Sequence, residues 1–162
     1  MTTATRIEQF DMSVPLTLEN MTRWDEVLRI DALWNEIGDT RTEFIRDDPE
    51  ALRQMMSGLD YLVMRHSLSD TSDRIIGAVS VMNCRRGGLF KIDSLAVDPA
   101  ERKKGYATAL AKSAISLCRR QNAQTINVLA VPESRLLFEK LGFSVDRVYG
   151  SGNTQMSLDL AA

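Results

Sequence analysis

Two segments near the N-terminus carry their apolar residues in patterns typical of helices. In residues 22–38 the apolar positions recur about every three or four residues, and a glycine closes the run. Residues 47–58 open with acidic residues and Pro49 and end at a glycine, which is typical of a shorter helix. The pattern predicts two helices here, preceded by a first strand near residues 7–16.

From residue 60 onward, segments rich in β-forming residues alternate with helical ones. The predicted strands are residues 60–66, 74–82, 89–97, 125–131, 143–149 and 154–160. The predicted helices among them are residues 104–122, with an apolar stripe, and residues 133–142. The order of elements predicts one α/β (α+β) domain, residues 1–162, built around one mixed sheet that includes a strand–helix–strand unit.

Composition narrows the class of protein. The chain has 162 residues, of which 44% are hydrophobic and 26% charged, as expected of one soluble globular domain. Its formal net charge of -2 argues against general nucleic-acid binding. No apolar run reaches the roughly 18 residues of a membrane span, and the N-terminus lacks the apolar core of a signal peptide, so we expect a cytoplasmic protein. Two cysteines, Cys84 and Cys118, make neither a disulfide framework nor a metal site.

One stretch, "VDPAERKKGYATALAKSAI" at residues 97–115, places three cations and Gly105 where a helix is predicted to begin. Glycine in a helix costs roughly 1 kcal/mol relative to alanine, so its presence suggests that a ligand approaches the backbone there. The unpaired N–H groups and partial positive charge of a helix N-terminus bind anions. The alternative is a solvated basic turn before a helix that merely starts at a glycine.

Two motifs carry a resemblance to a known family. "LAVDPAERKKGYATAL" resembles the acyl-coenzyme A binding motif of the GNAT acetyltransferases, and "LLFEKLGF" at residues 136–143 resembles a late segment of that family. The spacing of the two blocks and the order of elements agree, and the resemblance covers roughly residues 61–149, whereas the first 60 residues match in element type alone. It implies the GNAT fold: a mostly antiparallel sheet of about six to seven strands flanked by about four helices. It also implies acetyl-coenzyme A as cosubstrate and no metal.

The resemblance assigns cofactor contacts to particular positions. In the family, the strand before the basic loop separates from its neighbour and its backbone pairs with the pantetheine arm, while the loop and helix start hold the diphosphate. The matching residues here are Leu95, Ala96, Val97, Arg102, Lys103, Lys104, Gly105, Tyr106, Ala107 and Thr108, with Phe138 in the second block near the coenzyme A sulfur.

Asp93 is the candidate catalytic residue, because it takes the place of a carboxylate that family members often carry on the strand before the loop. Transfer to an amine requires the neutral amine, so Asp93 would accept a proton directly or through a water. The alternative is a carboxylate that faces solvent or pairs with Lys91 or Arg85. Another family position for the base corresponds to Asn127, which has no basic group but is able to orient a water.

The sequence departs from the family at Phe138. Family members commonly have a tyrosine there, whose hydroxyl donates a proton to the departing sulfur, and phenylalanine has no donor. A general acid contributes about 10²–10⁴-fold, and a thiol with a pKa near ~8.5 leaves tolerably without help, so a slower or differently assisted enzyme is expected. Phe138 as simple core packing is the alternative.

Two functions follow from the resemblance. The first is an N-acetyltransferase that moves acetyl from acetyl-coenzyme A to a primary amine, on a small molecule, an amino acid or a protein N-terminus, by direct attack in a ternary complex. The second is a catalytically weak or inactive acyl-coenzyme A binding or protein-interaction module on the same fold. No nucleic acid and no membrane is expected as a partner. Many relatives form homodimers, and the sequence leaves the oligomeric state open.

Overall fold

The computed structural model describes residues 4–39, 41–69 and 72–161. In this part of the chain, seven strands form one sheet in the order β1-β2-β3-β4-β5-β7-β6. The strands are β1 (Ala4–Phe10), β2 (Asp60–Ser69), β3 (Ser72–Asn83), β4 (Leu89–Val97), β5 (Thr125–Ala130), β6 (Ser144–Val148) and β7 (Thr154–Asp159). The helices are α1 (Met21–Glu36), α2 (Pro49–Met56), α3 (Tyr106–Arg120) and α4 (Arg135–Lys140). The predicted fold class is confirmed.

Neighbouring strands are antiparallel except β4 and β5, which run parallel. They are joined through α3, because parallel neighbours need a long crossover connection. Helices α1 and α2 pack on one face of the sheet, where Ile30, Leu33 and Leu52 are fully buried. Helices α3 and α4 cover the other face, where Leu110 and Phe138 join the larger of the two hydrophobic clusters.

Three predicted boundaries were wrong. β1 ends at Phe10 because Asp11 accepts hydrogen bonds from the backbone N–H and hydroxyl of Ser13, which turns the chain. The polar segment after residue 66 is mostly strand, since Ser67 of β2 pairs with Asp73 of β3. Helix α3 begins at Tyr106 rather than near residue 104.

The end of β4 is fixed by a buried carboxylate. Asp98 follows β4 directly, is 6% exposed and accepts a hydrogen bond from the backbone N–H of Ala100, which starts a 3₁₀ turn at Pro99–Glu101. It also accepts from the guanidinium groups of Arg29 on α1 and Arg74 on β3. Burial opposes its ionisation, but the Ala100 N–H and the Arg29 guanidinium outweigh that effect and lower the pKa of Asp98. The loop after β4 is therefore anchored to both α1 and β3.

We expect Asp98→Asn to lower the free energy of unfolding by about 2 kcal/mol, because asparagine still caps the turn but leaves two guanidinium groups without their carboxylate. Urea denaturation measures this loss. The matched control is Asp159→Asn, which alters an exposed carboxylate that accepts the Ala161 N–H with no arginine in contact. It should change stability by less than about 0.5 kcal/mol. Equal effects of the two variants would show that the arginine contacts do not anchor the loop.

The difference between wild type and Asp98→Asn should depend on pH. Because the folded-state pKa of Asp98 lies below the ordinary value of 3.8, its stabilisation is present above that pH and is lost as the pH falls through the folded pKa. Urea denaturation at about pH 7 and about pH 3 should therefore show a smaller difference at the lower pH. A difference that stayed constant would mean that the charge of Asp98 is not what stabilises the loop.

Candidate functional site

β4 and β5 pair over four residues and then separate. Their parallel register runs from Leu89 opposite Thr125 to Ile92 opposite Val128. Beyond this point β4 continues to pair with β3, and β5 continues to pair with β7. The β5-facing backbone edge of residues 93–97 therefore has no strand partner in the described chain. We call this opening the fork.

The fork begins at a β-bulge. Ser80 of β3 lies opposite Ser94 and the next residue, Val81, lies opposite Ile92, so Asp93 is an extra residue on β4. The Ser80 hydroxyl accepts the backbone N–H of Ser94 at 3.1 Å, and both serines are buried. A bulge bends its strand and increases its twist, which accounts for the departure of β4 from β5 at this position.

The free edge of β4 leads to the N-terminus of α3. A cleft of about 280 Å³ lies there, lined by Val97, Glu101, Arg102, Lys103, Gly105, Tyr106, Ala107 and Thr108. Among the described residues, no acceptor pairs with the backbone N–H groups of Tyr106, Ala107 and Thr108. A helix start with unpaired N–H groups beside a cleft is suited to an anion.

Gly105 is the N-cap of α3, with a φ of 81°, and is not inside the first turn as the sequence predicted. Its left-handed conformation already favours glycine, so the backbone alone explains much of this choice. A Cβ built on Gly105 would meet no atom within 4 Å, so it would project into open space. Lys103 also has a positive φ, 65°, so the loop turns sharply twice before the helix.

The three predicted cations of the loop differ in what they contact. Lys104 donates to Glu101 at 2.7 Å, and this hydrogen bond raises the pKa of Lys104 and lowers that of Glu101. The Nε of Arg102 donates to the carbonyl of Val97 at 3.2 Å, which holds the side chain across the end of β4. In the described chain no ion pair involves Lys103. Arg102 and Lys103 are therefore the cations at the cleft whose charge no ion pair in the described chain neutralises.

Two further predicted cofactor residues, Leu95 and Ala96, lie on β4 beside the fork rather than in the cleft. Leu95 packs partly on the larger core cluster, and Ala96 is buried on the opposite face, against the cluster of α1 and α2. Their side chains are thus committed to packing, and the groups that they offer to a ligand are backbone N–H and C=O.

Asp93 lies where the fork begins, with 6% of its side chain exposed. Its partner is neither Lys91 nor Arg85, the two alternatives that the sequence suggested, but Arg41, whose Nη2 donates to Asp93 Oδ2 at 2.9 Å. Arg41 also forms a bidentate pair with Asp39, at 3.0 and 2.6 Å. Hydrogen bonds to Asp39 and Asp93 raise the pKa of Arg41, so the guanidinium stays charged.

A second, smaller pocket of about 100 Å³ adjoins Asp93 on the α1 and α2 face of the sheet. Its lining residues are Trp34, Asp39, Arg41, Thr42, Met55, Met56, Leu59, Tyr61 and Asp93. Trp34 and Tyr61 stack with their centroids 6.5 Å apart and form one wall. Burial raises the pKa of Tyr61, and the negative charge of Asp93 raises it further, so its hydroxyl is protonated at neutral pH. We call this the acceptor-side pocket.

Sequence reasoning missed Asp39, Arg41 and Tyr61. Arg41 and Asp93 are 52 positions apart in the chain, and no local pattern links a polar loop after a helix to a strand so far away. Asn127, the other predicted position for a base, lies opposite Lys91 in the paired part of β4 and β5 and not in the fork.

Phe138 does not line the cleft. Its ring is 2% exposed and contacts Phe143 edge to face, with the centroids 5.2 Å apart. The structure thus places it in the core, as one of the two sequence interpretations proposed. A contact between its ring and a cofactor sulfur stays a prediction.

Other reactive side chains lie apart from the fork. Burial raises the pKa of the Cys118 thiol to about 12, which makes it a poor nucleophile. Searching the described ranges for three or more histidine, cysteine or acidic side chains placed to hold a metal finds no such group. None of the helices in those ranges combines the length and apolar character that crossing a membrane requires.

Comparison with known proteins finds one matching family profile. The sequence profile of the Acetyltransferase (GNAT) domain matches residues 30–153. A search of functionally curated proteins finds no match.

Solved structures share the fold across almost the whole chain. A protein from Desulfovibrio desulfuricans assigned to the GNAT family superimposes with a TM-score of 0.67 at 16% identity, covering 98% of this chain and 100% of that one. A Bacillus subtilis acetyltransferase in complex with coenzyme A gives 0.65 at 17% identity, covering 97% and 99%. The PaiA N-acetyltransferase of Thermoplasma acidophilum, also in complex with coenzyme A, gives 0.59 at 17% identity, covering 95% and 99%.

Proposed function

Because the chain belongs to the GNAT acetyltransferase family, we propose that it binds acetyl-coenzyme A along the fork and transfers the acetyl group to a primary amine. One observation carries the proposal: the free backbone edge of β4 ends at Val97, which lines the same cleft as the first residues of α3. Acyl-coenzyme A has the matching chemistry, since its pantetheine arm contains amides and its other half carries phosphates.

The diphosphate would lie at the start of α3. The N–H groups of Tyr106, Ala107 and Thr108 donate to phosphate oxygens, and the helix dipole favours their negative charge. Arg102 and Lys103 add positive charge at the cleft. Gly105 leaves room for the phosphate because no Cβ projects into the space above it.

The pantetheine amides would continue the sheet. Residues 95–97 present their β5-facing edge without a strand partner, so an extended amide chain can pair with them as a short extra strand would. This position directs the thioester towards the beginning of the fork, where Asp93 lies.

In the proposed reaction one bond forms and one breaks at the acetyl carbonyl carbon. The amine nitrogen forms a bond to the acetyl carbonyl carbon, the carbon–sulfur bond breaks, coenzyme A leaves as a thiolate, and the amine loses a proton. An alkylammonium has a pKa near ~10.4, and a water held in the site is too weak a base to keep its proton, so the proton has to end in the bulk solvent. We assign Asp93 the role of holding the amine and of orienting a water through which the proton passes to the solvent.

The acceptor and the cellular compartment complete the proposed function. The acceptor is a small-molecule or peptide amine that enters through the acceptor-side pocket. The two cysteines are unpaired, which fits a reducing compartment such as the cytoplasm.

The proposed function is tested by acetyl-coenzyme A consumption across a panel of primary amines, followed as release of free thiol. Turnover supports the enzyme. Tight coenzyme A binding without turnover on any amine would favour a binding module instead. A melting temperature that neither acetyl-coenzyme A nor coenzyme A changes would contradict both functions.

We expect Gly105→Val to weaken coenzyme A binding at least about tenfold, because the valine side chain would occupy the space proposed for the diphosphate. Calorimetry measures the affinity. Gly87→Val is the matched control, since Gly87 also has a positive φ, 58°, and open space around its Cβ position but lies in the β3–β4 turn. Cofactor affinity equal to wild type in a folded Gly105→Val protein would contradict the proposed diphosphate site.

Asp93→Asn should lower turnover by ~10²-fold or more while coenzyme A affinity stays unchanged, because the amide is a poorer partner for a cationic amine and its water. Steady-state kinetics at neutral pH and cofactor titration measure the two quantities. The control is Asp146→Asn on the exposed strand β6, which should have normal turnover. Normal turnover of Asp93→Asn would assign the role to another group.

Phe138→Tyr tests whether this ring faces the coenzyme A sulfur. If it does, the added hydroxyl donates to the leaving thiolate, and we expect unchanged stability with turnover equal to or above that of wild type. Phe143→Tyr is the control, because it adds a hydroxyl to the neighbouring core ring and should cost roughly 1–3 kcal/mol of stability. A similar loss of stability in Phe138→Tyr with no gain in turnover would contradict the placement. Thermal melting and the thiol-release assay give both readings.

A further inference from the structure

Arg41 holds two carboxylates at the acceptor-side pocket, and the three side chains differ sharply in exposure. The side chain of Arg41 is 60% exposed, whereas those of Asp39 and Asp93 are 14% and 6% exposed. One guanidinium that lies mostly in solvent thus neutralises two carboxylates that are nearly buried. The cation is the component that can leave, because most of its side chain is already in solvent, whereas the two carboxylates are held in the protein.

The charges of the pocket do not balance. Of the nine residues that line it, Asp39 and Asp93 are acidic and Arg41 is basic, which leaves one net negative charge. Exposed ion pairs contribute little to stability, whereas a buried carboxylate left without a partner is unfavourable. Arg41 can therefore be displaced at low cost, provided that another cation takes its place.

The rest of the pocket wall is suited to methylene groups. Trp34, Met55, Met56, Leu59 and Tyr61 supply apolar and aromatic surface around the carboxylates. Met55 is half exposed, so this wall reaches the protein surface. A short alkyl chain that ends in a cation would contact this wall with its chain and Asp93 with its head group.

The segment that follows Arg41 is anchored to α1. Thr42 donates its hydroxyl to Asp31 of α1, and Arg46 pairs with the same carboxylate at 2.8 Å. Asp31 is only 1% exposed, which makes this a buried anchor for the segment that follows Arg41.

We propose that Arg41 is a specificity-determining residue that competes with the acceptor for Asp93, and that the acceptor is a small alkylammonium whose cationic head displaces the guanidinium. The chain of the acceptor lies on the apolar wall, and its nitrogen is placed at the beginning of the fork. An acceptor that carries a carboxylate near its amine is disfavoured by the net negative charge. The catalytic consequence rests on the proposed acetyl transfer, but the competition for Asp93 is a property of binding alone.

Binding measurements test the competition directly. n-Butylamine, which is protonated at neutral pH, is titrated by calorimetry into wild type, Arg41→Gln, Arg41→Lys and the double variant Arg41→Gln/Asp93→Asn. We expect the affinity of Arg41→Gln to exceed that of wild type about fivefold to tenfold, because no internal cation must be displaced. Arg41→Lys, which keeps a cation, should stay close to wild type, and the double variant should lose the gain.

Arg135→Gln is the control, because Arg135 forms an exposed pair with Glu139 on α4, at 2.8 Å, and should bind n-butylamine as wild type does. Melting curves verify that each variant is folded. Equal or weaker binding of n-butylamine by Arg41→Gln, or no binding by any variant, would overturn the proposal. The proposal would also be overturned if wild type bound butyrate and Arg41→Gln did not, since Arg41 would then bind a carboxylate of the ligand.

Competition between Arg41 and an amine for Asp93 does not require acetyl transfer, so the two are tested separately. Stronger n-butylamine binding by Arg41→Gln, without acetyl-coenzyme A consumption on any amine, would leave the competition intact and overturn acetyl transfer. If the enzyme consumes acetyl-coenzyme A with an amine whose KM and affinity do not change in Arg41→Gln, acetyl transfer would stand and the competition for Asp93 would be overturned.

Discussion

The fork depends on one extra residue in β4. Ser80 and Val81 are adjacent on β3, but their partners on β4, Ser94 and Ile92, are separated by Asp93. The bulge bends β4 away from β5, which ends their parallel pairing and leaves a backbone edge without a partner. It also changes which face of the sheet successive side chains occupy. Phe90 and Ile92 before the bulge, and Val97 after it, pack towards α3 and α4, whereas Ala96 packs towards α1 and α2. One irregularity thus creates the fork, keeps the core filled on both sides of it and places Asp93 at its beginning.

The proposed site also requires a loop after β4 that is anchored where it leaves the strand and accessible to a ligand where it meets α3. Asp98 provides the rigid end through Ala100, Arg29 and Arg74. The open end consists of Gly105 and the first N–H groups of the helix, which no described residue satisfies. Every helix start leaves such N–H groups without a partner in the helix, and here they lie beside a cleft that Arg102 and Lys103 also line, which suits an anionic ligand.

Most of the elements could be predicted from the sequence, because their signals are local. The apolar stripe of α3 and the β-rich runs after residue 60 have clear periods, and the basic loop with Gly105 is contiguous. The positive φ of Gly105 could not be predicted, because it depends on where α3 begins.

The acceptor-side pocket could not be predicted in the same way. The bulge at Asp93 exists only relative to the register of β3, and "KIDSLAV" alone does not contain that register. Arg41 contacts Asp93 across 52 positions, whereas Lys91 and Arg85, the partners that the sequence suggests, are near Asp93 in the chain. Long-range ion pairs depend on how α1 and the loop after it pack on the sheet, and a single sequence carries no local trace of that packing.

A crystal structure with coenzyme A bound is the most direct test of whether the fork and the N-terminus of α3 form one binding site for acetyl-coenzyme A. We expect diphosphate oxygens within hydrogen-bonding distance of the N–H groups of Tyr106, Ala107 and Thr108, and pantetheine amides paired with the backbone of residues 95–97. Coenzyme A bound away from β4, or a fork closed by direct pairing of β4 with β5 in its presence, would show that the two do not form one site.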